Sequence, residues 1–128
     1  MSLSRSKRFA LALAGAAALT LGSAGISAAS SDGGTIYNTT GGAAVWFKAY
    51  GDHVWVADIE ADGHSAVGLS YVPYDGVDTE NWVTGGNGTT VDFNYDFTEN
   101  AYVYYRACVG ESGTGDYFSC SSWYTAVA

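Results

Sequence analysis

Apolar and polar residues alternate with a period of two along most of the chain after residue 42. In one clear example Val91, Phe93 and Tyr95 alternate with polar neighbours. This spacing places successive side chains on opposite faces of an extended strand, whereas a helix would need apolar residues three and four apart. The pattern predicts strands over seven stretches, namely 43–50, 54–61, 65–72, 81–84, 89–95, 101–109 and 117–127.

Turn-forming residues separate these predicted strands at regular intervals. Asp62-Gly63 is a strong two-residue hairpin signal, so we expect it to join the strands on either side. The only proline, Pro73, ends a strand because it has no N–H to donate to a central ladder. Short strands with regular turns are typical of an antiparallel sandwich or small barrel. The sequence therefore predicts an all-β fold, a small antiparallel β-sandwich over residues 43–128.

The first 29 residues have the pattern of a secretory signal peptide. Basic residues between Arg5 and Arg8 precede an apolar run over 9–21, and small residues occupy 27–29. The run is too short to span a bilayer, which argues against the alternative of an uncleaved anchor. We expect cleavage after Ala29 and release of a soluble, secreted protein.

Residues 30–42 are polar and rich in glycine, which predicts a flexible N-terminal segment. One apolar island interrupts it, at Thr35-Ile36-Tyr37. This island is interpreted either as part of a frayed tail or as a short edge strand.

The net charge of the chain after residue 29 limits the classes of molecule that it is expected to bind. After residue 29 the chain keeps two basic side chains, Lys48 and Arg106, against all thirteen Asp and Glu residues, a net charge of −11. Nucleic acids and anionic membranes are recognised by clustered Lys and Arg, so neither is expected as a partner. An acidic surface instead favours basic partners or serves to keep the protein in solution.

Two cysteines, Cys108 and Cys120, remain in the predicted secreted chain. Because exported thiols normally oxidise, we expect one disulfide closing a loop rich in Gly and Ser. A metal-binding pair or a catalytic thiol is a weaker interpretation, since neither His53 nor His64 is close in sequence.

The acidic stretch Asp58, Glu60 and Asp62 begins like a calcium-binding loop, with glycine at the sixth position. The twelfth position is Leu69, where a closing Glu is required, so an acidic hairpin is favoured over a metal site. His64 adjoins Ser65, but adjacency in a turn is not the geometry of a catalytic triad. No catalytic residue, metal or other cofactor is predicted, and the protein is expected not to be an enzyme.

The predicted strand over 101–109 offers a candidate recognition surface. Tyr102, Tyr104 and Arg106 share one face, while the opposite face consists of core-forming residues. Tyrosine and arginine are common at protein interfaces, so this face is predicted to bind a protein partner, although exposed rings also occur without a function. The alternative is a carbohydrate-binding module in which sugars stack on tryptophan, the candidates being Trp46, Trp55, Trp82 and Trp123.

Three short motifs resemble those of small secreted actinobacterial proteins. They are Val56-Ala57-Asp58 followed by Ala61-Asp62-Gly63, then Cys108-Val109-Gly110, and Cys120-Ser121-Ser122. A further cysteine pair of that group would fall at Ala57 and Thr90, so its second disulfide is absent here. In size, export and glycine-rich start the chain also looks like the adaptor subunit of umbrella-shaped secreted toxin particles. That resemblance implies an adaptor between secreted proteins, with Thr35, Ile36 and Tyr37 inserting into a partner.

Overall fold

The computed structural model describes residues 29–128, and these form nine β-strands with one 3-10 turn at Pro73–Asp75. The predicted signal peptide lies outside the described residues except for Ala29. Within them, no helix is long and apolar enough to cross a membrane. The strands are β1 (Gly33–Tyr37), β2 (Ala43–Lys48), β3 (His53–Asp58), β4 (Ser65–Val72), β5 (Val77–Val83), β6 (Thr90–Asn94), β7 (Tyr102–Glu111), β8 (Asp116–Phe118) and β9 (Tyr124–Val127).

The strands form two antiparallel sheets that pack face to face. One sheet has four strands in the order β1-β2-β3-β6. The other has the order β5-β4-β7, and both β8 and β9 pair with the free edge of β7. The predicted all-β sandwich is therefore confirmed.

The inward-facing side chains, which are every second residue of a strand, fill the space between the sheets. On β7, Val103, Tyr105, Ala107 and Val109 are buried, as their shared face predicts. They pack with buried residues of the four-stranded sheet, which include Val45, Phe47, Val54 and Val56. Because alternate side chains point inward, the other half of each strand faces solvent or forms local clusters.

The prediction of a hairpin at Asp62-Gly63 is wrong. β3 pairs with β2 and β6, whereas β4 pairs with β5 and β7, so residues 59–64 cross from one sheet to the other. Gly63 does adopt a positive φ of 78°, as a tight turn requires. The hairpin does not form because both edges of β3 are already paired, and the Ile59 N–H bonds the Gly42 carbonyl at 3.1 Å.

Two strand boundaries also differ from those predicted. Strand β5 begins at Val77, inside a stretch expected to be a loop, because Gly76 takes a left-handed conformation (φ 66°) and closes a tight turn. The predicted strand over 117–127 is divided into β8 and β9. Cys120 lies between them and ties the chain to Cys108, which interrupts the pairing with β7.

Residues 30–42 contribute a strand to the four-stranded sheet. β1 pairs with β2, and Ile36 is buried in the core with 6% of its surface exposed. The Tyr105 hydroxyl donates to the Gly34 carbonyl at 2.6 Å, and Ser31 forms a bridge with Val127. The sheet therefore begins at Gly33, before the boundary predicted at residue 43, and the apolar island is an edge strand.

Candidate binding surface

The outer face of the five-stranded sheet carries most of the candidate residues. On β7 the alternation that buries Tyr105 turns Tyr102, Tyr104 and Arg106 outward. The neighbouring strand β4 adds Tyr71 to the same face, because its residue Leu69 pairs with Arg106 and Tyr71 pairs with Tyr104. Antiparallel register thus collects aromatic side chains from distant parts of the chain.

A disulfide covers one end of this face. The predicted bond between Cys108 and Cys120 is confirmed. It packs with the outward side chains of Val67 and Leu69, and Trp82 closes the edge of this small apolar cluster. This end of the face is consequently shielded from solvent and has a structural role.

The other end of the face forms an open groove of about 780 Å³, lined by Tyr71, Pro73, Asp78, Tyr104 and Trp123. We call it the aromatic groove. The ring centroids of Tyr71 and Tyr104 are 6.3 Å apart, and those of Tyr104 and Tyr102 are 6.5 Å apart. Tyr71 is 42% exposed and Trp123 is 43% exposed. Large apolar rings that stay this accessible, gathered in one concavity, are typical of a binding site.

Arg106 supports one wall of the aromatic groove. Its guanidinium carbon lies 4.5 Å from the centre of the Trp123 ring, a cation–π contact that adds to the packing of the indole. The other described cation, Lys48, pairs with Asp32 at 3.5 Å, but Arg106 makes no ion pair within residues 29–128. The Arg106 Nε atom is buried and has no hydrogen-bond partner there. We infer that Arg106 positions Trp123.

Not all predicted partner-binding residues lie on this surface. Thr35, Ile36 and Tyr37 belong to β1, in the opposite sheet. Ile36 is part of the core, while Thr35 and Tyr37 are exposed. The structure therefore brings together Tyr102, Tyr104 and Arg106, and places the N-terminal triplet elsewhere.

The four tryptophans do not form one platform. Trp46 and Trp55 are directly paired across β2 and β3, with ring centroids 6.0 Å apart and planes parallel within 2°. Beside them the His53 Nδ1 atom is 2.7 Å from a carboxylate oxygen of Asp92. Trp82 belongs to the disulfide cluster, and Trp123 to the aromatic groove. Of the four tryptophans, only Trp46 and Trp55 form a stacked pair, and this pair lies on the four-stranded sheet.

The acidic stretch over residues 58–62 forms part of the crossover loop. Asp58 is only 2% exposed, and burial raises its pKa above the usual value, although the Glu60 N–H donates to it. Across residues 29–128, no group of three or more His, Cys, Asp or Glu side chains is placed to hold a metal ion.

Sequence reasoning missed three residues of the aromatic groove. Alternation over the predicted strand 65–72 puts Tyr71 on one face with Leu69, but it gives no link to Tyr104. Pro73 was read only as the end of a strand, and Asp78 as part of a loop. The available signal was alternation on β4, which predicts that Tyr71 faces the same way as Leu69; the register with β7 was the missing information.

Comparison with family models, with curated proteins and with solved structures gives no match to this chain.

Two buried carboxyls should make the protein more stable in mild acid than at neutral pH. Burial raises the pKa of Asp52, against the opposing hydrogen bond from the Phe97 N–H, and burial likewise raises the pKa of Asp58. When the folded pKa is the higher one, the unfolded chain releases its proton first as pH rises. The free energy of unfolding then falls between the ordinary pKa and the raised one. We expect a higher melting temperature near the ordinary pKa, at about pH 4, than at about pH 7.

A single variant tests the contribution of Asp52 to this pH dependence. Asp52→Asn keeps an oxygen that accepts from the Phe97 N–H at 2.9 Å, and Asn tolerates the φ of 57° at this position. It carries no charge, so the difference in melting temperature between the two pH values should shrink. Asp78→Asn removes an exposed charge elsewhere and serves as the control. An unchanged pH profile in Asp52→Asn would show that this carboxyl does not contribute.

Proposed function

We propose that this protein is a secreted, non-enzymatic binding protein that recognises another extracellular protein through the aromatic groove. The observation that carries the proposal is the exposure of Tyr71 and Trp123 in one concavity, with Arg106 stacked on Trp123. Tyrosine and tryptophan supply large contact areas with few rotatable bonds, and together with arginine they dominate the energetics of protein interfaces.

Secretion and an adaptor role are part of the same proposal. The predicted signal peptide and the disulfide between Cys108 and Cys120 both fit an oxidising, extracellular environment. The resemblance to the adaptor subunit of secreted toxin particles suggests that the bound protein is a component of a larger extracellular complex. In that case the aromatic groove is one of the contacts through which the adaptor joins its neighbours.

Affinity recovery from culture supernatant tests the binding role. A tagged protein carrying Trp123→Ala should recover its partner at least about 30-fold less than the unmodified protein, since a central aromatic anchor contributes about 2 kcal/mol or more. Tyr50→Ala is the matched control, because Tyr50 is 96% exposed in the turn between β2 and β3. Recovery is measured by quantitative mass spectrometry. Equal recovery with both variants would contradict the proposed use of the groove.

Carbohydrate binding is the second candidate, and the parallel pair Trp46 and Trp55 favours it. If this pair stacks on sugars, the protein should sediment with insoluble chitin or cellulose, and Trp46→Ala should abolish sedimentation while Trp123→Ala leaves it unchanged. Failure to bind either polysaccharide, in the presence of a folded protein by circular dichroism, would count against this candidate.

A further inference from the structure

The aromatic groove offers hydrogen-bond donors that have no acceptor within the described part of the chain. Within the described residues, the tyrosine hydroxyls that donate are those of Tyr95 and Tyr105, and the indole that donates is that of Trp82. Among residues 29–128, the hydroxyls of Tyr71 and Tyr104 and the indole N–H of Trp123 therefore donate to no acceptor, and all three lie in the groove. A ligand that matches this surface supplies backbone or side-chain acceptors. It carries few N–H or O–H donors of its own.

Apart from these donors and Asp78, the groove wall is apolar and aromatic. Tyr71, Tyr104 and Trp123 present rings, and Pro73 adds an aliphatic surface. A proline-rich segment fits both properties, because each proline has a carbonyl acceptor but no N–H donor, and its ring packs on aromatic faces. Such a segment adopts the polyproline II conformation without internal hydrogen bonds, so its carbonyls remain available to tyrosine and tryptophan donors.

Charge indicates a further property of the ligand. Asp78 is the acidic residue of the aromatic groove, it is exposed, and it makes no ion pair among residues 29–128. The net charge of −11 after residue 29 attracts a basic ligand over longer distances. Asp78 is thus positioned to accept from a Lys or Arg that flanks the prolines.

We propose that the aromatic groove binds a proline-rich segment of the partner protein, with a basic residue of that segment paired to Asp78. Rings of Tyr71, Tyr104 and Trp123 contact the pyrrolidine rings, and their free donors bond the segment's carbonyls. Arg106 acts as a positioning residue through its stacking on Trp123. This inference rests on the proposed function, because it names the chemistry of the protein ligand that the groove receives.

Fluorescence anisotropy with defined peptides tests the inference. The probes are two labelled oligoproline peptides that carry one Arg at either the first or the last position, and a Gly-Ser repeat of equal length and charge. One oligoproline probe should bind at least about 10-fold more tightly than the Gly-Ser repeat. Tyr71→Phe and Tyr104→Phe, which remove only a hydroxyl, should each weaken binding about 3- to 10-fold. Tyr50→Phe is the control, and thermal melts verify that all variants are folded.

The role of Asp78 has its own readout. Asp78→Asn should weaken the Arg-containing probe about 3-fold or more and leave an oligoproline without Arg unchanged. Glu60→Gln removes one charge from the crossover loop that precedes β4, and should change neither affinity. A Gly-Ser repeat that binds as tightly as oligoproline, or tyrosine variants without effect, would overturn the inference. If a supernatant partner still depends on Trp123 while no oligoproline binds, the inference fails and the proposed function stands.

Discussion

Replacing both cysteines, as Cys108→Ala with Cys120→Ala, should lower the free energy of unfolding by more than the roughly 3 kcal/mol that chain entropy gives for a loop of this size. The bond closes a loop between residues 12 apart in sequence, and its removal restores conformational freedom to the unfolded chain. The loss should be larger than chain entropy alone implies, because the disulfide also covers Val67 and Leu69 on the outer face. Urea unfolding followed by circular dichroism provides the measurement.

Reduction offers a control for this prediction without further substitution. A reducing agent should destabilise the unmodified protein by a similar amount and should not affect the double variant. Trp123 lies three residues after Cys120, so the double variant should also bind the groove ligand more weakly. Equal unfolding midpoints for the unmodified and double-variant proteins would show that the disulfide does not contribute to stability.

Local patterns were sufficient to predict most of the strands and the face assignment on β7. Burial of Val103, Tyr105 and Ala107 follows directly from alternation, since one face of a sandwich strand must be apolar. The cysteine pair was equally predictable, because two cysteines allow only one intramolecular bond. In each case the information lies within one strand or in the composition.

Features that depend on strand pairing could not be obtained in the same way. Asp62-Gly63 has the chemistry of a hairpin turn, yet the turn is used in a crossover because β3 is paired on both sides. The aromatic groove likewise needs the register that sets Tyr71 opposite Tyr104, together with the position of Trp123 before β9. Neither register nor sheet order is encoded in the spacing of single segments. The tyrosine face was therefore foreseen without the residues that complete the groove.

Gly68→Val should destabilise the protein by about 3 kcal/mol, at the upper end of the range for overpacked cores. Gly68 lies on the inner face of β4, where a Cβ atom would be 2.5 Å from Val56 Cγ2 and 3.3 Å from Val45 Cγ2. The sheets can admit the side chain only by separating, and both valines are held by the pairing of β2 with β3. Thermal and urea unfolding measure the loss.

A second glycine tests whether close sheet packing causes the loss of stability at Gly68. Gly34 is also in a strand, but a Cβ atom there has no neighbour within 4 Å. Gly34→Ala should be neutral or stabilising by up to about 1 kcal/mol, because alanine restricts the unfolded chain more than glycine does. Gly68→Ala should instead be destabilising, since its Cβ meets Val56. Opposite signs would identify close sheet packing as the cause, whereas equal effects would contradict it. Because Tyr71 extends from the same strand as Gly68, a Gly68→Val variant that still folds should also bind the groove ligand more weakly.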